Sequence, residues 1–306
     1  MTDSPTATVA APTPWWAASW ATISLLVGLL VWSYWPGLLV AAGTWKSPQY
    51  SHGWLVPLFA AGVVAWRRTA LIPATTVEQL AGLTVLATSL AVRLAAARYR
   101  IITIDMYTLV PALLGVVLIT GGVRLLRWAG PPVAFLIFMY PLPDEATRYL
   151  LGPLQTLATI ASTYLLQTLG CEAFREGNQI VLGDSRLGVV DACSGLRMLT
   201  IFVALAVAWV LVDRVAWWER VAIIASAIPI ALAVNVARIT ATGMMMTVNE
   251  QLAERVFHDW AGYVMMPLAM ALLVVVRWLL AALVIEDLPA AVPVIDVRGR
   301  RPEGIP

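Results

Sequence analysis

Residues 195–212 read GLRMLTIFVALAVAWVLV, an apolar run with one charged residue, Arg197. An α-helix needs about 20 predominantly apolar residues to cross a bilayer, so this run is read as a membrane span. Working outward from it, comparable runs fall at 16–35, 53–66, 79–97, 107–123, 131–142, 219–246 and 260–284. The expected fold is all-α, a polytopic membrane bundle of about eight transmembrane helices, because in lipid each backbone group must be satisfied within its own segment. The second and fifth runs are short enough to be tilted or partly interfacial. Residues 150–169 are also apolar, but they contain Gly152, Pro153 and scattered Thr, Ser and Gln. A half-inserted or interfacial helix is expected there.

Composition agrees. Of the 306 residues, 60% are hydrophobic and 12% charged, where a soluble domain carries about a quarter charged. Too few polar groups remain to cover a water-facing surface. The net charge of +2, with no dense Lys/Arg cluster, speaks against nucleic-acid binding. Neither CxxC nor a His-rich ligand spacing occurs, so no metal and no cofactor are expected. Residues 1–14 carry one acid and no base, unlike the positive start of a secretory signal, so the first run is expected to persist as a span. The expected organisation is a disordered cytoplasmic N-terminus (1–14), one transmembrane domain (15–285) and a short cytoplasmic tail (286–306).

Basic residues beside the spans set orientation. Arg67, Arg68, Arg124, Arg127, Arg214, Arg220, Arg298, Arg300 and Arg301 fall on one side if the N-terminus is cytoplasmic. Arg93, Arg98 and Arg100 then fall outside, which demands either a different topology or an anionic partner. In this arrangement His52, Cys193, Arg238 and His258 all reach the outer side. Between Gly170 and Asp191 lies a long polar insert. Asn178–Leu182 and Arg186–Val190 have β character around a Gly183-Asp184-Ser185 turn, which predicts a small extracytoplasmic β-hairpin leading into the Cys193 helix.

Cys193 stands in Asp191-Ala192-Cys193-Ser194-Gly195-Leu196-Arg197, just before the apolar helix. A helix N-terminus and a nearby Arg both favour a thiolate, which makes this sulfur a candidate nucleophile. The bland alternative is a small apolar residue in a membrane helix. Arg238 lies inside the 219–246 run with Asn235 one turn earlier; such an Arg faces a polar cavity, or it snorkels to the interface. A guanidinium in a cavity stabilises an oxyanion or a thiolate. His258 is a candidate proton-transfer group, with an interfacial His as the plain alternative. His52, in Ser51-His52-Gly53, competes for that role, binds substrate, or merely starts a helix. Cys171 precedes Glu172 and is read as structural.

These motifs, in this order, resemble the exosortase/archaeosortase family. The resemblance is carried by Asp191–Arg197, Asn235-Val236-Ala237-Arg238 and His258. Ser51-His52-Gly53 with Leu55-Val56-Pro57, and Pro141-Leu142-Pro143 with Pro153-Leu154-Gln155, extend it over about residues 50–284. It implies a membrane thiol transpeptidase facing the periplasm from the bacterial inner membrane. Its partners would be exported proteins ending in a Pro-Glu-Pro-type motif, one membrane helix and a basic tail. Cys193 would then form a thioacyl intermediate, Arg238 would stabilise developing charge and His258 would protonate the leaving amine. His52, Asp191, Ser194, Arg197 and Asn235 would bind substrate or support the site. A surface glycolipid or polysaccharide would be the acceptor. The rival functions are a transporter with Arg238 and the histidines along its pathway, a thiol–disulfide enzyme using Cys171 and Cys193, and a noncatalytic scaffold for envelope polysaccharide assembly.

Overall fold

The computed structural model describes residues 15–47, 50–67, 71–143, 149, 152–183, 185–189, 195–213, 215–249, 253 and 261–283; the side chains of 15–19, 195–198 and 261–266 are outside that description. Helices α1 (Trp15–Ser33) and α2 (Trp35–Thr44) open the chain. They meet at a bend of 67°. Pro36 cannot donate to the α1 ladder but suits the first turn of a new helix, so the apolar chain restarts there. The first expected span therefore ends short of α2, which the apolar-run reading omitted. A 3-10 turn (Ser51–Trp54) leads into α3 (Leu55–Trp66), followed by α4 (Thr76–Arg98), α5 (Ile102–Tyr107) and α6 (Leu109–Phe135). Then come α7 (Gly152–Thr168), β1 (Ala173–Glu176), β2 (Gln179–Leu182), β3 (Ser185–Gly188), α8 (Gly195–Val212), α9 (Trp217–Val248) and α10 (Ala261–Leu283).

Each of the eight expected spans finds a helix. By length and composition α4, the stretch 102–139 and α9 are apolar and long enough to cross a membrane, and the bent pair at the N-terminus makes a fourth. The stretch 102–139 is not straight, however. Gly122 has φ 62° and ψ −164°, outside helical space. A Cβ built on Gly130 would lie 3.9 Å from Leu114 Cδ2, although sixteen residues of straight helix would separate them by about 24 Å. The chain therefore reverses at Gly122, and α6 is a hairpin of two legs, 109–121 and 123–135. The first leg matches the fourth expected span, 107–123, whereas the second starts eight residues before the fifth, 131–142, because the helix restarts straight after Gly122.

Glu78 holds this reversal. Its carboxylate accepts the Thr75 amide at 2.8 Å and closes a capping box on α4, while its other oxygen accepts the Val123 amide at 2.9 Å. One side chain thus caps two helix starts. Farther along, Gly82 and Gly115 bring the backbones of α4 and the first leg together: a Cβ on Gly82 would lie 2.9 Å from the Gly115 carbonyl oxygen. Small residues at a crossing allow such approach between membrane helices.

Helix α8 is the central element. At about 100° per residue, Ala204 and Leu211 share one face and pack with α1–α3 and α6. Phe202, Ala206 and Val210 occupy the opposite face and pack with α9 and α10. Helix α7 is continuous and lies along α9 through Ala158, Thr159, Ser162, Thr163 and Leu166, so the scattered polar residues of 150–169 belong to a close helix–helix interface. The polar insert forms a three-stranded antiparallel sheet in the order β1-β2-β3. It contains the expected hairpin with β1 added; Gly177 at φ 63° with Asn178 makes the two-residue turn joining Glu176 to Gln179. Residues from all three strands share a buried cluster with Ile239 of α9.

Candidate active site

The two ends of the bundle differ. At one end Arg67, after α3, donates to the carbonyl of Leu211 near the end of α8. There Arg277 of α10 pairs with Asp213 at 3.2 Å and approaches Glu219 at 3.8 Å. This is the arginine end. The sheet lies at the other, where α3 and α8 begin, α9 ends and α10 begins.

Arg238 is on the sheet half of α9, one residue before the cluster member Ile239, and only 4% exposed. It does not snorkel: the side chain lies inside the protein. Asn235, one turn earlier on the same face, is 6% exposed, and its Oδ1 has no hydrogen-bond partner among the described residues. Thr242 Oγ donates to the Arg238 carbonyl at 2.9 Å. Burying an Arg and an Asn carbonyl inside an apolar bundle is costly, and a native fold bears that cost where the groups serve a polar event. Thr240 adds a buried hydroxyl without a partner among the described residues; as an ordinary Thr in an apolar helix it carried no sequence signal.

Asp191, Cys193, Ser194 and His258 lie outside the described residues, as does the side chain of Arg197 in the first turn of α8. The described residues flanking the Cys193 segment are informative. Val189, fully buried, belongs to the cluster that contains Ile239, while Ile201 and Phe202 of α8 cluster with Val234 of α9. The chain therefore packs into α9 on both sides of the segment, at residues four before and one after Arg238. In sequence, His258 falls between α9 and α10.

His52 occupies the 3-10 turn before α3, also at the sheet end. Its position depends on Gly53, where a Cβ would fall 2.2 Å from Trp45 Nε1. That indole donates to the Met139 carbonyl at 2.7 Å and packs edge-on against Trp54 at 4.7 Å. The buried ring nitrogens of His52 make no well-formed hydrogen bond among the described residues, with only a weaker contact to the Phe138 backbone. His52 lies in the turn before α3, whereas Arg238 lies on α9.

His52 does line a cavity of about 680 Å³ between α3, α8 and α10. Its walls include Phe59, Ile201, Leu205, Ala208 and Met270, and it reaches Asp213 at the arginine end. Ile201, Ala208 and Val212 lie along a third face of α8, between the two packed faces. From Ile201 to Asp213 the groove runs about 18 Å along the helix axis. Trp209 and Asp213, which donate and accept a bond at 3.2 Å, also line this cavity and were not singled out by motif; the sequence signal was an acid ending an apolar helix. Cys171 is half-buried at the edge of the sheet cluster, in keeping with a structural role.

The family model of the transmembrane exosortases matches residues 44–275, well over half of the chain. No curated protein and no solved structure matches it.

Proposed function

Because the chain belongs to the transmembrane exosortase family, whose members act on exported proteins, we propose that it is a cysteine-dependent membrane peptidase and transpeptidase. Its substrates are exported proteins ending in a Pro-Glu-Pro-type motif, one membrane helix and a basic tail. The observation that carries this reading is the burial of Arg238 beside Asn235, between the two places where the chain flanking Cys193 packs into α9. A guanidinium excluded from water and lipid is suited to charge that develops during acyl transfer.

In this mechanism the Cys193 thiolate attacks the scissile carbonyl, and the oxyanion that forms is stabilised by Arg238. Collapse breaks the C–N bond; the leaving amine takes its proton from His258, and a thioester remains on Cys193. An acceptor amine or hydroxyl on a surface glycolipid or polysaccharide, or water, then attacks the thioester, and the thiol is regenerated. The groove along α8 offers apolar walls against which the substrate's membrane helix can lie, with His52 toward the cleavage end. The site faces the periplasmic side of a bacterial inner membrane, with both termini cytoplasmic.

Co-expression with a reporter carrying that C-terminal signal tests the reading on gels. Wild type and Cys171→Ala trim the reporter, and Cys193→Ala, Arg238→Ala and His258→Ala leave it full length. Trimming by Cys193→Ala would exclude a thiol mechanism.

A further inference from the structure

We propose that the arginine end of the bundle holds a second site, which binds the phosphodiester headgroup of an anionic membrane lipid. The site is a cavity of about 390 Å³ between the second leg of α6, α8 and the start of α9. Arg67, Arg127 and Arg220 line it, and Pro131, Phe138 and Ile224 contribute to its apolar walls.

The charges in this cavity are not cancelled from within. Arg67 donates to the Leu211 carbonyl, and Arg220 Nε donates to the Val215 carbonyl at 3.0 Å. Backbone oxygens therefore aim these two guanidiniums without neutralising them. Among the described residues, no carboxylate pairs with Arg67, Arg127 or Arg220; the nearby acids Asp213 and Glu219 face Arg277 instead. Three like charges around one half-open cavity repel one another, although water screens the exposed Arg127 and Arg220, and an anion seated between them relieves that repulsion. Guanidinium forks match phosphate oxygens, and each still has donors to spare.

The walls select among anions. A soluble phosphate gains nothing from Pro131, Phe138 and Ile224, whereas a lipid places its headgroup on the arginines and the start of its acyl chains on the apolar surface. The arginine distribution puts this end at the cytoplasmic face, where anionic lipids are concentrated and basic pockets between helices capture headgroups. The argument rests on this charge pattern and is independent of the thiol chemistry.

Native mass spectrometry of the full-length chain in detergent, titrated with dioleoylphosphatidylglycerol or dioleoylphosphatidylcholine, tests the site. The wild type is expected to retain phosphatidylglycerol about tenfold better than the zwitterionic lipid, the scale of one or two charge-assisted hydrogen bonds. Arg127→Gln should lose about tenfold of that binding. Arg127 is exposed and makes no hydrogen bond among the described residues, so its thermal unfolding without lipid should match the wild type. Arg124→Gln, on the same leg but outside the cavity, should bind as the wild type does. Equal retention of the two lipids, or undiminished binding by Arg127→Gln, overturns the site. Displacement of phosphatidylglycerol by millimolar inorganic phosphate would make it a site for free anions and overturn the lipid assignment.

Discussion

Arg93 and Asp105 form an ion pair, Nε to Oδ1 at 3.1 Å, across the short turn between α4 and α5. The Arg93 guanidinium also donates to the Ser33 hydroxyl and carbonyl, and its carbon stands 3.8 Å from the centroid of the Tyr34 ring. Arg93 is one of the three arginines that the expected orientation places outside, and the Asp105 carboxylate neutralises its charge locally. Asp105→Asn should leave the guanidinium without its counter-ion and cost about 1 kcal/mol, the scale of a partly exposed pair. Thermal unfolding in detergent should show the loss. Arg93→Gln combined with Asp105→Asn should cost less than the sum of the single changes; strict additivity would mean that the pair does not couple them.

Gly122 is the pivot of the α6 hairpin. Its φ of 62° with ψ −164° is a region only glycine occupies readily, and a Cβ there would fall 2.5 Å from Glu78 Oε2. Gly122→Ala should therefore cost about 2–3 kcal/mol from backbone strain alone, and more if the Glu78 cap is displaced. The melting temperature of the variant, alone and with Glu78→Ala, separates these terms. Removing the carboxylate should recover only the steric part; complete recovery would show that the backbone conformation at Gly122 carries no strain.

The sequence made the spans legible because lipid imposes a simple rule: about 20 apolar residues with few charges. That rule is blind to α2, a ten-residue helix restarted by Pro36, and to the reversal at Gly122, where one glycine among apolar neighbours looks like continuous helix. It also missed β1, since Ala173–Glu176 is polar and lacks alternation; the Gly177-Asn178 turn signal was present but unused. At the site, a polar stripe on an apolar helix was enough to single out Asn235 and Arg238, and their burial follows. The Arg93–Asp105 pair was not legible, because pairing two charged residues requires knowing how α4 folds back on α5. Nor was the groove, whose walls are ordinary apolar residues brought together only by packing.

Arg238 should not tolerate lysine. A compact ammonium has neither the planar fork nor the reach of a guanidinium, and the buried surroundings were shaped around the latter. Arg238→Lys and Arg238→Ala should each lower reporter trimming by about 10²–10³-fold, the scale of one lost oxyanion-stabilising donor. Asn235→Ala should cost less, about tenfold, because it removes one hydrogen-bonding group beside the charge. Initial trimming rates at matched protein levels would check the series. Near-wild-type trimming by Arg238→Lys would reduce Arg238 to a generic positive charge.

The groove along α8 separates binding from chemistry. Ala208 lines its wall within the membrane-depth portion of the helix and belongs to none of the catalytic candidates. Ala208→Phe adds a ring to the cavity of about 680 Å³, so the space that would take an apolar helix is partly filled while the folded core is largely spared. If the substrate helix occupies this groove, the variant should trim the reporter more slowly at low reporter levels and recover as reporter rises, which is the pattern of weakened binding with intact chemistry. A loss of about 1–3 kcal/mol in apparent substrate binding is the expected scale for overpacking. The measurement is initial trimming rate against reporter concentration after co-reconstitution in lipid. An equal loss at every concentration would point to damage at the reacting centre, and no loss at all would mean that the substrate helix binds on another face of the bundle.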